Sequence, residues 1–212
     1  MKHDWLRNWL LGLALAACAA SAAAQLQVGR EFTRLDPPRP VATGSRIEVI
    51  EFFYYGCPIC YETQPLLSRW LTAAPEYVAL RRVPAFSSEN WEAFAKLYYT
   101  LEELGQIARL HWPIYDNFHF DGVMLNDQKV MADWVARNGI DRQKFVETYD
   151  SAGVQAKVSQ GREMMKTYDV RGVPTFVVDG KYVTSSRLAG GTRQMMHVVD
   201  ELVKRARQER PD

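Results

Sequence analysis

The order of predicted elements indicates an α/β domain that is interrupted by an all-helical block. β-Branched and aromatic residues predict a strand at 46–53, and a second strand is indicated at 77–83. From residue 87 the apolar residues recur at helical spacing, and the strand pattern returns only at residue 175. The two ends of the chain are therefore expected to form one sheet, with the helices inserted between them.

The first 24 residues are typical of a secretory signal peptide. Lys2 and Arg7 precede an apolar run, and three alanines at 22–24 fit a cleavage site. The run is short and rich in alanine, which disfavours the alternative of a permanent membrane anchor. A further alternative is lipidation of Cys18, because the LAAC segment that ends there resembles a bacterial lipobox. Cleavage after Ala24 is preferred, since small residues continue beyond Cys18.

The charge balance excludes a phosphate-binding surface of the nucleic-acid type. The whole chain carries a formal charge of +1, and this charge is lost with residues 1–24, which hold Lys2, Arg7 and Asp4. Without a basic excess, nucleic acid is not an expected partner. A hydrophobic fraction of 47% indicates an ordinary folded core.

The first predicted strand leads directly into a helix after Gly56. Pro65 lies within this helix and is expected to kink it. A shared apolar face is predicted for Tyr61, Leu66, Leu67, Trp70 and Leu71.

The helical block is predicted to be an insertion that covers residues 86–160. Its apolar stripe from Trp91 to Leu104 is interpreted as core packing and not as a ligand site. Further helices are predicted at 106–118, 127–137, 142–149 and 152–168, with Asp141 as the N-cap of the third. The parts at 25–85 and 161–212 then complete the α/β domain, the second through a hairpin around Asp179-Gly180 and a helix from about Thr192.

Cys57 and Cys60 form a Cys-x-x-Cys pair at the start of the first helix. A closed zinc site needs four ligands, and the chain offers no second cysteine pair and no suitable histidine spacing. A structural disulfide would close only two intervening residues and would constrain the unfolded chain little. Redox chemistry fits the pair better, so no metal is expected.

The position of each cysteine predicts its role. At the helix N-terminus, Cys57 faces free N–H groups, which favour its thiolate and lower its pKa. Pro58 suits the first helical position, where no N–H is needed. Cys60, one turn further on, is expected to be more buried. A substrate thiolate would therefore attack Cys57, and Cys60 would close the pair again.

A second motif, Arg171-Gly172-Val173-Pro174-Thr175-Phe176, follows more than a hundred residues later. A proline at a strand start indicates an edge, a bulge or a cis bond. Together, EVIEFFYYGCPICYE and VRGVPTFVVDGKYV resemble the thioredoxin superfamily and, within it, the bacterial DsbA-like thiol:disulfide oxidoreductases. The resemblance implies a thioredoxin fold with an inserted all-helical domain.

The resemblance also implies roles for further residues. A cis Pro174 and Val173 would border the cysteines and offer backbone to an extended substrate, with Pro58 and Ile59 in the active-site loop. Glu51 matches a buried acid that helps to move the proton of Cys60. The alternative for Glu51 is a strand glutamate that faces water.

Ile59 departs from the family, which usually has histidine there. A lost interaction of about 1–2 kcal/mol corresponds to roughly 20–45 mV. The expectation is therefore a somewhat weaker oxidant that is still an oxidase.

The implied function is that of a periplasmic dithiol oxidase. It would transfer the Cys57–Cys60 disulfide to unfolded exported proteins and be reoxidised by a DsbB-like, quinone-linked membrane protein. No cofactor beyond the disulfide is implied. Only about 20 residues separate Gln25 from the first strong strand, too few for the dimerisation domain of exported isomerases, so a monomer is expected. The alternatives are a reductase or isomerase on the same fold, and a non-redox peptide-binding chaperone.

Overall fold

The computed structural model of this protein describes residues 26–210. The predicted signal peptide, with its cleavage site and Cys18, lies outside these residues. Among the helices at 26–210, none combines the length and the apolar character needed to cross a membrane.

Five strands form one mixed sheet, as the predicted fold class requires. They are β1 (Thr33–Arg34), β2 (Ile47–Phe53), β3 (Val78–Pro84), β4 (Thr175–Val178) and β5 (Tyr182–Ser185). Their order across the sheet is β1-β5-β4-β2-β3, with β2 parallel to β3 and antiparallel to β4. Every residue of β2 is buried. The central strand therefore ends inside the molecule, and the chain that leaves it begins the site.

The longer helices occupy the positions that the sequence predicts, whereas the short helix after β5 was not predicted. They are α1 (Pro58–Ala73), α2 (Glu89–Glu103), α3 (Ile107–Asp116), α4 (Gln128–Arg137), α5 (Arg142–Tyr149), α6 (Ala152–Thr167), α7 (Ser186–Ala189) and α8 (Thr192–Glu209). A π-helical turn at Asn117–Asp121 follows α3. The side chains of Asp127, Asp141 and Ser151 accept backbone N–H bonds and so begin α4, α5 and α6. The predicted insertion boundary at residue 160 falls inside α6, which continues to Thr167. This boundary stays a prediction.

The core consists of clusters on different sides of the sheet. One cluster joins the sheet to α8, with Met195, Val199 and Leu202 among its buried residues. Another is formed mainly by the helical block, and it also includes Phe53, Tyr55 and Cys60. The cysteine pair thus lies where the end of the central strand meets the helical block.

Helix α1 continues from Pro58 to Ala73 with Pro65 inside it. The predicted apolar face is divided between two clusters. Leu67 is buried in the cluster beside α8, and Leu66, Trp70 and Leu71 pack there too, whereas Tyr61 packs against the helical block. The helix is therefore enclosed from two sides, and its buried polar residues, Thr63 and Gln64, point into the protein.

Candidate active site

Cys57 is the N-cap of α1, at the junction of β2 and the helix. Its backbone is extended, with φ −87° and ψ 116°, and its Sγ accepts the N–H of Cys60 at 3.3 Å. Pro58 follows at the first helical position, where the missing N–H leaves no bond unmade. The strand end and the helix start together direct the Cys57 thiol towards the free donors of the first turn.

Hydrogen bonds from the Cys60 side chain and from the backbone of the first turn lower the pKa of Cys57 to about 7. The largest contribution is the hydrogen bond with the Cys60 side chain, and backbone bonds from Cys60 and Ile59 add to it. Partial burial and the negative charge of Glu62 oppose the shift. A large fraction of this thiol is therefore ionised at neutral pH, which is the nucleophilic form.

Cys60 has the opposite environment. It is fully buried, and burial raises its pKa well above the ordinary value, with further contributions from the hydrogen bond to Cys57 and the charge of Cys57. Both cysteines are free thiols in this structure. The thiolate of the reduced pair consequently resides on Cys57, and the proton on Cys60.

The predicted proline loop lies against Cys57. The Val173–Pro174 peptide bond is cis, and the carbonyl of Val173 is 3.6 Å from Cys57 Sγ, where the protonated thiol donates to it. The Thr175 hydroxyl donates to the Gly172 carbonyl at 2.7 Å and closes this turn. Residues 116 positions apart in sequence thus border one sulfur atom.

Gly56 is required by the ring that lies over it. A Cβ at this position would come within 2.5 Å of the Tyr54 ring. Tyr54 stacks on Trp91 of α2, with ring centres 4.0 Å apart and planes 8° from parallel. The helical block therefore holds the loop that carries Cys57. The sequence interpretation of Trp91 as core packing did not predict this contact with the active-site loop.

An aromatic rim borders the cysteines on the side of the helical block. We define it as Tyr61, Trp112 and Phe120. Tyr61 contacts the other two rings, with centroid distances of 5.0 and 5.6 Å. Phe120 is 72% exposed, and Ile59 beside the rim is 38% exposed. The rim offers an apolar contact surface next to Cys57.

Glu51 is buried, so the alternative that it faces water is wrong. Its carboxylate accepts a bond from Gln64 Nε2 at 2.7 Å and pairs with Arg82 Nε at 3.0 Å. Burial raises the pKa of Glu51, while Arg82 and Gln64 oppose that shift. Gln64 Nε2 also lies 3.5 Å from the Cys60 carbonyl. One amide thus connects the acid to the backbone of the second cysteine.

Sequence reasoning did not identify Arg82 and Gln64. The register of the sheet places Arg82 of β3 directly opposite Glu51. Gln64 lies one helical turn after Cys60, on the buried side of α1. The spacing of Gln64 could have suggested its direction. The pairing of Arg82 depends on strand register, which the sequence pattern did not specify.

Comparisons with known proteins show which proteins this chain is similar to. The family model described as "DSBA-like thioredoxin domain" matches residues 66–202. The thiol:disulfide interchange protein DsbA of Pseudomonas syringae pv. tomato is 36% identical over 207 residues, covering 95% of this chain and 97% of the relative. The protein of the same name from Azotobacter vinelandii is 35% identical over 211 residues, covering 95% and 99%.

Solved structures are also similar. The crystal structure of Pseudomonas aeruginosa DsbA superposes with a TM-score of 0.83 at 33% identity, covering 88% of this chain and 97% of that one. The oxidoreductase NmDsbA1 from Neisseria meningitidis gives 0.75 at 26% identity, covering 88% and 96%.

Proposed function

Because this chain belongs to the DSBA-like thioredoxin family and is a thiol:disulfide oxidoreductase, we propose that it oxidises dithiols of exported proteins at Cys57–Cys60. The observation that carries the proposal is the contrast between the two thiols. Cys57 is partly exposed with a pKa of about 7, whereas Cys60 is buried with a raised pKa. This contrast makes Cys57 the sulfur that exchanges with the substrate, and the oxidising direction is supported by the similarity to DsbA proteins.

The reaction proceeds by two exchanges. A substrate thiolate attacks Cys57 Sγ of the oxidised protein, the Cys57–Cys60 bond breaks, and Cys60 leaves as a thiolate that takes up a proton. A second substrate thiolate then attacks the substrate sulfur of the mixed disulfide, and Cys57 leaves as a stabilised thiolate. The substrate loses two electrons and gains a disulfide, and the protein gains two electrons and becomes the dithiol.

Glu51 has the role of a proton carrier for Cys60. Its raised pKa brings it closer to neutral pH, so the acid can pass a proton to the Cys60 thiolate and regain one from solvent between turnovers. Gln64 holds the carboxylate on the side of Cys60. Protonation of a buried leaving thiolate is the step that this arrangement assists.

Substrate binding uses both sides of Cys57. Val173 and Pro174 border Cys57, and the half-buried Val173 offers its backbone to an extended peptide. Pro58, Ile59 and the aromatic rim supply apolar contacts on the other side. An unfolded chain presents both backbone and apolar side chains, and a folded protein presents few of either.

The location and the partners follow from the family and from the N-terminal sequence. The protein acts in the periplasm as a monomer, and its substrates are unfolded exported proteins. A DsbB-like, quinone-linked membrane protein removes the two electrons from the dithiol. The redox-active group is the cysteine pair itself, without a further cofactor.

The proposal is tested by a glutathione redox titration of residues 25–212, following the Cys57–Cys60 bond. Characterised DsbA has a nucleophile pKa of about 3.5 and a potential of about −120 mV, and thioredoxin has about 7 and about −270 mV. We expect a value of about −120 to −170 mV, weaker than DsbA because of Ile59. A value below about −200 mV would contradict the oxidase and favour the reductase or isomerase. The double Cys57→Ser, Cys60→Ser variant should lose all activity, whereas a chaperone would keep it.

A further inference from the structure

A cavity next to the Glu51–Arg82 ion pair is lined by residues other than the two cysteines. Its volume is about 430 Å³, within the range of small-molecule sites. Its walls come from α1, β3, α2 and α3. Pro65, Ile107 and Trp112 are among its apolar walls, and Ser68, Arg82 and Tyr98 are among its polar ones.

Arg82 brings unused hydrogen-bond donors to this cavity. Its Nε binds Glu51 at 3.0 Å, and no hydrogen bond within residues 26–210 engages Nη1 or Nη2. The side chain is 26% exposed, and it lines the cavity. Because Glu51 is fully buried and occupies Nε, a ligand in the cavity reaches the guanidinium through its terminal nitrogens. Two such nitrogens match the two oxygens of a carboxylate.

Two hydroxyl groups line the cavity beside this charge. Neither the Tyr98 nor the Ser68 hydroxyl makes a hydrogen bond within the part of the chain that the structure describes. Burial and the nearby Glu102 raise the pKa of Tyr98, so its hydroxyl stays protonated and is a donor. The tyrosine ring is 5% exposed. The Tyr98 hydroxyl and the terminal nitrogens of Arg82 can therefore both donate hydrogen bonds to an anion in the cavity.

The histidine in the wall is a neutral group. His111 is 9% exposed, its Nδ1 is bonded to the Tyr55 hydroxyl at 2.8 Å, and its Nε2 has no partner in residues 26–210. Burial and the charge of Arg82 lower the pKa of His111 well below its usual value. The positive charge in the cavity therefore comes from Arg82.

We propose that this cavity binds a small organic monocarboxylate, held by Arg82 Nη1 and Nη2 and by the Tyr98 hydroxyl. The apolar part of the ligand lies between Pro65, Ile107 and Trp112. Glu51 partly neutralises the charge of Arg82, so the attraction between Arg82 and a second carboxylate is weakened. Apolar contacts must therefore add to the binding free energy, which favours a ligand with an apolar body over a bare inorganic anion. The site shares Arg82 with the Glu51 ion pair and Trp112 with the aromatic rim, whereas Cys57 and Cys60 do not line it.

The test is an NMR titration of the reduced protein, expressed from its full sequence, with phenylacetate and with phenylacetamide as its uncharged match. The Arg82 Nε–H and Trp112 indole N–H resonances are followed. We expect saturable shifts of both resonances with phenylacetate, at a dissociation constant at least about tenfold lower than for the amide. Equal binding of acid and amide, or no saturable binding of either, would overturn the proposal and leave a solvent-filled cleft.

Three variants locate the ligand. Ala108→Trp places a large ring at the cavity and should weaken phenylacetate binding at least about tenfold. Ala136→Trp, at an exposed alanine of α4 outside the cavity, should leave it within about twofold. Tyr98→Phe removes one donor to the carboxylate and should weaken binding about tenfold. Unchanged affinity in both Ala108→Trp and Tyr98→Phe would place the carboxylate elsewhere, and the proposal would fail. Tyr98→Phe decides alone if Ala108→Trp does not fold.

Discussion

Two cysteines one helical turn apart, at the N-terminus of α1 and in the protein interior, have pKa values that are shifted in opposite directions. At the terminus, Cys57 faces free backbone donors, and its pKa is lowered to about 7. In the interior, Cys60 is fully buried within the aromatic cluster of the helical block, and its pKa is raised. The comparison teaches that hydrogen bonding and burial, and not the motif alone, decide which cysteine of a Cys-x-x-Cys pair is the nucleophile.

Exchange of either cysteine for serine gives the largest effect. Cys57→Ser should abolish dithiol oxidation, because the attacked sulfur is absent. Cys60→Ser should also abolish turnover, but Cys57 then forms mixed disulfides that nothing resolves internally. Nonreducing gels with an unfolded substrate whose cysteines carry glutathione disulfides separate the two cases, because the Cys57 thiolate attacks such a disulfide and releases glutathione. Trapped complexes with Cys57→Ser, and none with Cys60→Ser, would reverse the assigned roles.

The pH dependence of alkylation distinguishes the thiols next. In the reduced protein, the rate at Cys57 should rise about tenfold per pH unit below 7 and level off above it, because only the thiolate reacts. Cys60 should stay unreactive throughout this range. Mass spectrometry after iodoacetamide pulses gives both rates.

The lowered pKa of Cys57 also makes the stability of the reduced protein depend on pH. The folded-state pKa of Cys57 lies below its ordinary value, so the thiolate stabilises the reduced fold at high pH. This contribution is lost as the pH falls through about 7. Denaturant unfolding of the reduced protein at pH 5.5 and 8 measures it. Equal stability after correction by the Cys57→Ser variant would contradict the lowered pKa.

Glu51→Gln tests whether the reaction of the buried Cys60 depends on the carboxyl group of Glu51. We expect oxidation to slow by about 100-fold, at the lower end of the range for a lost proton-transfer group, with the rate no longer following the titration of a carboxyl. Glu48→Gln is the matched control, because Glu48 is a buried glutamate of the same strand and accepts a bond from the Ala42 N–H instead. Equal loss in both variants would indicate a structural role.

Ile59→His should give the smallest change. A histidine beside Cys57 favours its thiolate, so we expect a lower pKa of Cys57 and a potential higher by about 20–45 mV. Ile59→Val is the control and should leave the potential unchanged. A shift of the same size in both variants would show that packing, and not charge, sets the potential.

The fold and the position of the cysteine pair could be predicted from the sequence. The strand and helix periods, the aspartate caps and the hairpin turn are local patterns, so they predicted most elements close to their observed bounds. The N-cap position of Cys57 followed from the same patterns. By contrast, the π-helical turn with Phe120 and the contact of Tyr54 with Trp91 depend on the packing of the helical block, which no local pattern encodes.

The sequence by itself thus determined the α/β organisation, the cysteine pair at a helix start and the proline before β4, because each is a property of a few consecutive residues. The tertiary structure alone decided that Arg82 and Gln64 meet the Glu51 carboxylate, and that the Val173 carbonyl lies 3.6 Å from Cys57 Sγ. It also decided the cavity beside Arg82. These contacts join distant residues through strand register and helix packing, and both are set by burial of the whole core.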